Sequence, residues 1–225
     1  MSENYYDLGK MVIYKNNQFI AFNKPPGLAI QSKEKPDLHE MANAYAKRKL
    51  FLLHRIDQPA SGVVLFARNK KSASAVGGQF KEGTVERCYL AIVKNKPSLQ
   101  EAVLKDHLTI DHKHNKTYIA GDLKKSTRAK LSELAFNFVG SSDLYHLLRV
   151  QLHTGRHHQI RAQLANMGSP IKGDVKYGDR RSNKDRSIHL HAHRIRFLHP
   201  VTGLPITVEA SVPEDTLWKF FGDMI

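Results

Sequence analysis

Apolar and polar residues alternate along much of the chain in the period-two pattern typical of half-buried strands. The segment 12–24 predicts two short strands around a polar turn at Asn16-Asn17, closed by the sequence Pro25-Pro26-Gly27. Apolar runs rich in β-branched and aromatic residues predict further strands. These lie in the segments 63–67, 84–95, 126–140, 143–155, 188–199 and 206–212. The segments 126–140 and 143–155 are expected to form an antiparallel pair with a turn at 140–142.

Helices are predicted in four segments, 37–49, 70–80, 156–168 and 214–225. In the third, Ile160, Leu164 and Met167 mark one apolar face, and Gly168 is placed to end the helix. The polar, basic middle of the chain, 104–126, and the charged stretch 176–187 predict irregular, solvated segments. Because strands outnumber helices without regular alternation, the pattern favours an α+β domain over a doubly wound sheet.

The charge of the chain indicates its class of partner. At 225 residues and 41% hydrophobic content, the chain is large enough for one domain or two small ones. Its net charge of +14 attracts phosphate backbones or anionic membranes, and the lack of a long apolar run or a basic amphipathic helix favours nucleic acid. The first ten residues lack an apolar signal core and Cys88 is the single cysteine, so a cytoplasmic protein without disulfides is expected.

Thirteen histidines raise the possibility of a metal site. The imidazoles of the run 189–193, "HLHAH", would share one face of a strand, as metal ligands can. The other candidate ligands, His107, His112 and His114, lie in the polar middle, where no fixed geometry is expected. No metal is therefore predicted.

Basic residues gather in the polar middle, in the helix from His157 and in the loop 172–186, with Tyr118 and Tyr177 among them. Aromatic faces beside cations suit unpaired RNA bases, which stack while the phosphates are neutralised. This pattern fits an RNA enzyme and a passive RNA-binding module equally well.

Asp57 lies in the stretch 51–70, "FLLHRIDQPASGVVLFARNK", between two apolar runs. One interpretation is a structural ion pair with an arginine that holds a loop. The other is a nucleophile or general base that a cationic partner keeps ionised despite desolvation. The pattern around Asp57 alone leaves both open.

Five stretches together resemble the RluA family of RNA pseudouridine synthases. Segment 19–31 is similar to the family's Lys-Pro-x-Gly strand, 53–68 to its His-Arg-Leu-Asp motif, and 87–95 to its Tyr-containing strand. Segment 152–178 resembles the motif Thr-Gly-Arg-x-His-Gln-Ile-Arg through Tyr-Gly, and 189–200 the Leu-His-Ala strand. The order and spacing of the five fit the family, and their combination is highly specific.

The resemblance implies a catalytic domain over 11–225, after a tail of residues 1–10, with a bent, mostly antiparallel mixed sheet, flanking helices and a site in its central cleft. It implies isomerisation of specific uridines in structured RNA, either rRNA or tRNA, without a cofactor, a metal, a membrane or DNA, and a monomer. A catalytically silent RNA-binding or ribosome-assembly protein is the main alternative, and a metal-dependent nuclease or hydrolase is a third.

Carried over by position, the resemblance makes Asp57 the nucleophile, Tyr89 the ring that stacks on the target base, and Arg161 the cation paired with the aspartate. The substrate-binding residues it implies are Arg55, which would contact RNA or hold the flipped nucleotide, His54 beside it, and Ile160, an apolar wall. Ionised Asp57 could add to C6 of uracil, attack C1′ of the ribose or remove a sugar proton, and the sequence does not choose among these routes.

The chain departs from the family pattern at Ile56, Ala60 and His157, where Leu, Thr and a small residue are usual. These departures bear on the choice of substrate. The ten residues before the first strand are too few for the N-terminal RNA-binding domain of many relatives. The catalytic domain itself is therefore expected to select the target.

Overall fold

A computed structural model describes residues 6–32, 37–120 and 129–225. Its helices are α1 (Leu8–Met11), α2 (Leu38–Ala46), α3 (Lys70–Glu82), α4 (Gln159–Asn166) and α5 (Thr216–Phe220), with short 3-10 turns at Val175–Tyr177 and Gly222–Met224. Its strands are β1 (Val12–Lys15), β2 (Phe19–Lys24), β3 (Phe51–Leu52), β4 (Ser61–Ala67), β5 (Glu86–Val93), β6 (Glu101–Asp111), β7 (Lys116–Ile119), β8 (Lys130–Ser141), β9 (His146–Leu152), β10 (Leu190–Leu198) and β11 (Pro205–Glu209).

The chain divides into two compact units, and each is discontinuous in sequence. The first unit comprises the described residues up to Val85 together with Ala192–Val212. The second unit comprises Glu86–His191 together with Pro213–Ile225.

The strands of the first unit follow the order β1-β2-β4-β10, with β3 on β4 and β11 on β10. Nearly every residue of β2 and β4 is buried, as expected of strands covered on both faces. Phe19 and Phe197 meet edge to face in the core with ring centroids 5.1 Å apart, and Val76 of α3 packs onto the same cluster. At Gly62, with φ +115°, a Cβ atom would lie 2.3 Å from the carbonyl oxygen of Ala192, so the close approach of β4 to β10 requires glycine.

The strands of the second unit follow the order β5-β9-β8-β6-β7, and each neighbouring pair is antiparallel. Polar side chains hold α4 against these strands. The Gln159 amide donates to the Glu133 carbonyl at 3.1 Å, and the Gln163 amide donates to the Asp106 carboxylate at 2.7 Å. Residues from Gln159 to Leu164 are all buried, so α4 is enclosed on every face.

The α+β, mostly antiparallel class is confirmed, as are the four predicted helices and the predicted strands. The turn between β8 and β9 lies slightly later than expected, since Ser142 N–H donates to the Tyr145 carbonyl at 2.8 Å. Gly168 follows α4 with φ +87°, which confirms its predicted place. Residues 1–5 of the predicted tail lie outside the described chain.

One prediction of irregular structure was wrong. The polar middle forms the hairpin of β6 and β7, up to Ile119, and its residues 121–126 lie outside the described chain. Only Leu108 is fully buried on β6, and Ala102, Leu104 and Asp106 are half-buried between exposed residues, so the apolar alternation of the strand is weak. The other such segment, 176–187, is irregular after the 3-10 turn and mostly exposed, as predicted, although Tyr177 and Asp179 within it are buried. Within the described residues, no helix is both long and apolar enough to span a bilayer.

Candidate active site

Asp57 lies in the connection between β3 and β4, which we call the Asp57 loop (residues 53–60). The loop is held at its ends by the main chain, where Leu53 N–H donates to the Leu65 carbonyl and Ala60 N–H donates to the Asp57 carbonyl, both at 3.1 Å. Ile56 and Ala60 are buried, whereas Asp57 between them is only partly buried. The apolar neighbours thus anchor the loop, and Asp57 between them stays partly exposed.

Lys24, at the end of β2, holds this loop through hydrogen bonds from its ammonium. Its side chain is fully buried, and its ammonium donates to the carbonyls of Pro25, Leu28 and Gln58 at 2.9, 2.9 and 3.0 Å. Gly27 N–H also donates to the Gln58 carbonyl at 2.8 Å. The three donors of one ammonium are therefore matched by three carbonyls, and they connect the Lys-Pro-Pro-Gly turn to the residue after Asp57.

Burial lowers the pKa of Lys24 from 10.5 to about 7, while the charge of Asp57 acts in the opposite direction. The first unit thus supplies a cation that interacts with Asp57. The sequence analysis missed this residue because lysine is rarely buried. Lys24 is the first residue of the Lys-Pro-x-Gly motif, but the motif by itself predicted only a turn.

The other predicted residues of the Asp57 loop differ in their contacts. The Nε2 atom of His54 accepts a hydrogen bond from Leu65 N–H at 3.2 Å, and its ring stacks on Phe80 with centroids 5.7 Å apart. Arg55 is exposed. The structure therefore brings His54, Arg55 and Asp57 into one loop, with His54 packed against α3; substrate contact by either basic residue stays a prediction.

Tyr89 lies in the middle of β5, opposite Val150 of β9, and is 7% exposed. Two residues earlier, on the same face of the strand, Arg87 donates to the His153 carbonyl at 3.1 Å. Burial lowers the pKa of Arg87, and Tyr89 acts in the opposite direction. Tyr89 is thus a largely enclosed ring beside a cation, and its stacking on a base stays a prediction.

Arg161, in α4, is 4% exposed and forms a two-pronged ion pair. Its Nε and Nη2 atoms donate to the two carboxylate oxygens of Asp174 at 2.7 and 2.9 Å. The guanidinium also lies 4.9 Å from the ring centroid of Tyr177, within cation–π range. Ile160 beside it is buried. Arg161 and Asp57 belong to different units, and their predicted pairing stays a prediction.

The ring of Tyr177 is fixed by hydrogen bonds at its hydroxyl. The oxygen accepts from Thr117 N–H at 2.7 Å and lies 2.9 Å from Nδ1 of His158. Burial and the nearby charge of Arg161 lower the pKa of His158 to about 2, so this imidazole is neutral and Nδ1 can accept the tyrosine proton. The sequence analysis recognised neither Asp174 nor His158 as a support of Arg161, because both contacts come from the tertiary fold.

His157, one of the departures from the family pattern, contacts β7. Thr117 Oγ1 donates to the His157 carbonyl at 2.8 Å and lies 2.9 Å from its Nδ1 atom. The rings of His157 and His158 stack with centroids 3.7 Å apart. The unusual histidine thus links the start of α4 to the hairpin.

The histidine run 189–193 is packed in the fold. His189 and His191 lie against Trp218, with ring centroids 5.7 and 5.9 Å away. Nδ1 of His193 lies 3.1 Å from the Ala210 carbonyl. Across residues 6–32, 37–120 and 129–225, no three or more His, Cys, Asp or Glu side chains are grouped to hold a metal ion.

Comparisons with known proteins agree on one family. The sequence profile described as RNA pseudouridylate synthase matches residues 18–166, which include Asp57, Tyr89 and Arg161. The chain is 30% identical to tRNA pseudouridine synthase C of Vibrio parahaemolyticus, over 93% of both chains. It is 31% identical to ribosomal large subunit pseudouridine synthase C of Vibrio vulnificus, over 92% of this chain and 67% of the other.

The fold agrees as well. The structure of human RNA pseudouridylate synthase domain containing 1 superposes with a TM-score of 0.76 at 22% identity, covering 92% of this chain and 85% of that chain. At this identity the likeness establishes the shared fold.

Proposed function

The chain belongs to the RNA pseudouridylate synthase family, and from this premise we propose that it converts uridine to pseudouridine in tRNA or rRNA with Asp57 as the nucleophile. The family match over residues 18–166 carries this proposal. The choice of tRNA or rRNA follows the relatives' names, of which one specifies tRNA and one the large ribosomal subunit.

The reaction breaks the bond from N1 of uracil to C1′ of ribose and forms one from C5 to C1′, with no change of oxidation state. Asp57 would add to C6, attack C1′ or remove a sugar proton. Each route needs an ionised carboxylate and a pocket that retains the freed uracil. The position of Asp57 in a loop with buried anchors, near the ammonium of Lys24, supports this role.

A uridine inside an RNA helix cannot reach such a carboxylate, so we propose that the target base is turned out of the stack. Unstacking costs roughly a few kcal/mol, and stacking on an aromatic ring recovers part of that cost. Tyr89 is proposed for this contact, with Ile160 as an apolar wall and with Arg55 and His54 toward the RNA. Their assignment rests on the resemblance of their segments to the family motifs.

Arg161 is proposed as the cationic partner of Asp57, also from the resemblance. Its contacts within the second unit support a role as a fixed cation. Asp174 neutralises one side of the guanidinium and the Tyr177 ring covers part of it. A guanidinium held in this way needs little reorganisation when it stabilises a second anion.

The test is the substitution Asp57→Asn, which removes the charge and keeps the shape. We expect no pseudouridine formation in tRNA or rRNA taken from cells that lack the gene, measured by mass spectrometry of nuclease digests. RNA affinity should stay close to that of the wild type. Asp223→Asn, at an exposed aspartate, is the matched control and should retain full activity.

Full activity of the Asp57→Asn variant would disprove the nucleophile assignment. A wild-type protein that binds these RNAs but adds pseudouridine to none of them would instead support the silent RNA-binding alternative.

A further inference from the structure

A cavity of about 530 Å³ opens on the surface of the second unit. Its volume lies in the range of cavities that hold a small organic molecule or one nucleotide. None of its lining residues is Asp57, Tyr89 or Arg161. We call it the Tyr145 groove, and it is lined by Lys94, Asn95, Asp143, Leu144, Tyr145, His146, Lys172, Asp179, Arg180 and Arg181.

The charge of the Tyr145 groove favours an anion. Four of its lining residues are Lys or Arg and two are Asp, which leaves an excess of two positive charges. One of the acids, Asp179, is already engaged, since its carboxylate accepts from Gly173 N–H at 2.6 Å and from Arg180 N–H at 2.7 Å. The basic side chains therefore dominate the field in the groove.

The basic wall of the groove is held in place before any ligand arrives. Lys172 Nζ donates to the Asn183 side-chain oxygen at 2.6 Å, and the Asn183 amide donates to the Ser187 carbonyl at 3.0 Å. These bonds close the segment that carries Arg180 and Arg181. The ammonium of Lys172 and the segment that carries the two arginines are thus restrained, which lowers the conformational entropy lost when phosphate binds.

The groove also has an aromatic and apolar side. Tyr145 is half-buried, and Lys172 Nζ lies 6.0 Å from its ring centroid. Leu144 next to it is 70% exposed and adds apolar surface beside the ring. A ring beside a cation at the mouth of a basic cavity is the arrangement that stacks a base and neutralises the adjoining phosphate.

We propose that the Tyr145 groove binds an unpaired nucleotide of the RNA strand other than the uridine that is modified, with its base on Tyr145 and Leu144 and the adjoining phosphates at Lys172, Arg180 and Arg181. The identity of the ligand as RNA rests on the proposed function. Because stacking and phosphate contacts tolerate any base, the groove adds affinity and sets how the strand lies on the second unit, without reading its sequence.

The experiment measures binding of fluorescently labelled oligocytidylate, a single-stranded RNA without uridine, by fluorescence anisotropy. The double variant Arg180→Ala/Arg181→Ala should bind at least about fivefold more weakly at moderate salt. The slope of log affinity against log salt should become shallower by about 1.4, since each lost phosphate contact on a single strand accounts for about 0.7. Tyr145→Ala should also lose at least about fivefold, whereas Tyr145→Phe, which keeps the ring, should bind like the wild type.

The matched control is Lys70→Ala/Lys71→Ala, which removes two exposed positive charges from α3 in the first unit. If the Arg180/Arg181 variant loses no more affinity than this control, or if Tyr145→Ala binds like Tyr145→Phe, the proposal is wrong. Since the probe has no uridine, loss of the enzymatic assignment would leave this result unchanged, and the two failures are distinguishable.

Discussion

At the scale of single residues, the ammonium of Lys24 combines full burial with three carbonyl acceptors and an interaction with the carboxylate of Asp57. Desolvation opposes its charge, and the nearby carboxylate favours it. One side chain therefore sets both the shape of the Asp57 loop and its local potential.

The substitution Lys24→Met tests this role. It removes the shared donor of the Pro25, Leu28 and Gln58 carbonyls, of which Gln58 keeps its bond from Gly27 N–H. This loss is partly offset because an ammonium is no longer buried, and we expect a net loss of about 2 kcal/mol in the free energy of unfolding. Pseudouridine formation should also fall. Urea unfolding measures the first effect, with exposed Lys71→Met as a control that should change stability by less than about 0.5 kcal/mol.

The wild type and the Lys24→Met variant should also differ in how their stability depends on pH. The pKa of Lys24 is lowered from 10.5 to about 7, so between these values the unfolded chain binds a proton that the folded chain does not. The free energy of unfolding of the wild type therefore increases, through Lys24, as the pH rises from about 7 to 10.5. The deficit of Lys24→Met relative to the wild type should widen from about pH 7 to about pH 10; a constant deficit would contradict the lowered pKa.

The sequence identified the candidate residues but not their supports. Short motifs contain Asp57, Tyr89 and Arg161, so a short stretch of sequence is enough to identify each of them as a candidate catalytic residue. Lys24 and Asp174 act through burial and through contacts that a linear pattern does not contain. The Asp174 carboxylate, for example, meets Arg161 across thirteen positions and only after the segment following α4 has turned back.

At the scale of elements, α4 is a helix that polar side chains dock. Arg161 and the two glutamines of the helix, Gln159 and Gln163, are buried, and each bonds to a different neighbouring segment. Most helices are positioned by an apolar stripe, which is a diffuse constraint. Directional bonds fix the rotation of α4 about its axis and hence the position of the guanidinium.

The substitution Asp174→Asn tests this docking. It removes the charged partner of a buried guanidinium, and we expect a loss of about 3 kcal/mol in the free energy of unfolding together with reduced pseudouridine formation. Thermal and urea denaturation provide the measurement. Asp143→Asn, at an exposed aspartate of the same unit, should be nearly neutral in stability; equal behaviour of the two variants would show that the ion pair does not hold α4.

Most elements could be predicted because an apolar run or a capping residue marks them in the sequence. The buried strands β2 and β4 are continuous apolar runs, and α3 begins at Asn69, whose side chain accepts from Ser72 N–H. The hairpin of β6 and β7 could not, because one face of β6 is exposed, the other is mostly only half-buried, and its sequence is largely polar. Main-chain pairing specifies these strands, of β6 with β8 and of β7 with β6, and amino-acid polarity does not encode that pairing.

At the scale of the whole molecule, a net charge of +14 attracts the negatively charged phosphate backbone of RNA. We expect affinity for structured RNA to fall by roughly a hundredfold or more between about 50 and about 200 mM salt, because several phosphate contacts release counterions together. Filter binding of the Asp57→Asn variant measures this without turnover. A series with added sucrose instead of salt is the control, and an affinity independent of salt would mean that the charge does not serve RNA binding.

Because both units are discontinuous in sequence, they affect how the protein folds during its synthesis on the ribosome. Many chains let an N-terminal portion mature on the ribosome while the rest is still being translated. Here the first unit needs Ala192–Val212 and the second needs Pro213–Ile225, so neither can be completed until the last strands and helix have been synthesised. During that interval β2 and β4, two almost wholly apolar strands, lack the rest of the core that buries them, and exposed strands of this kind are prone to aggregate.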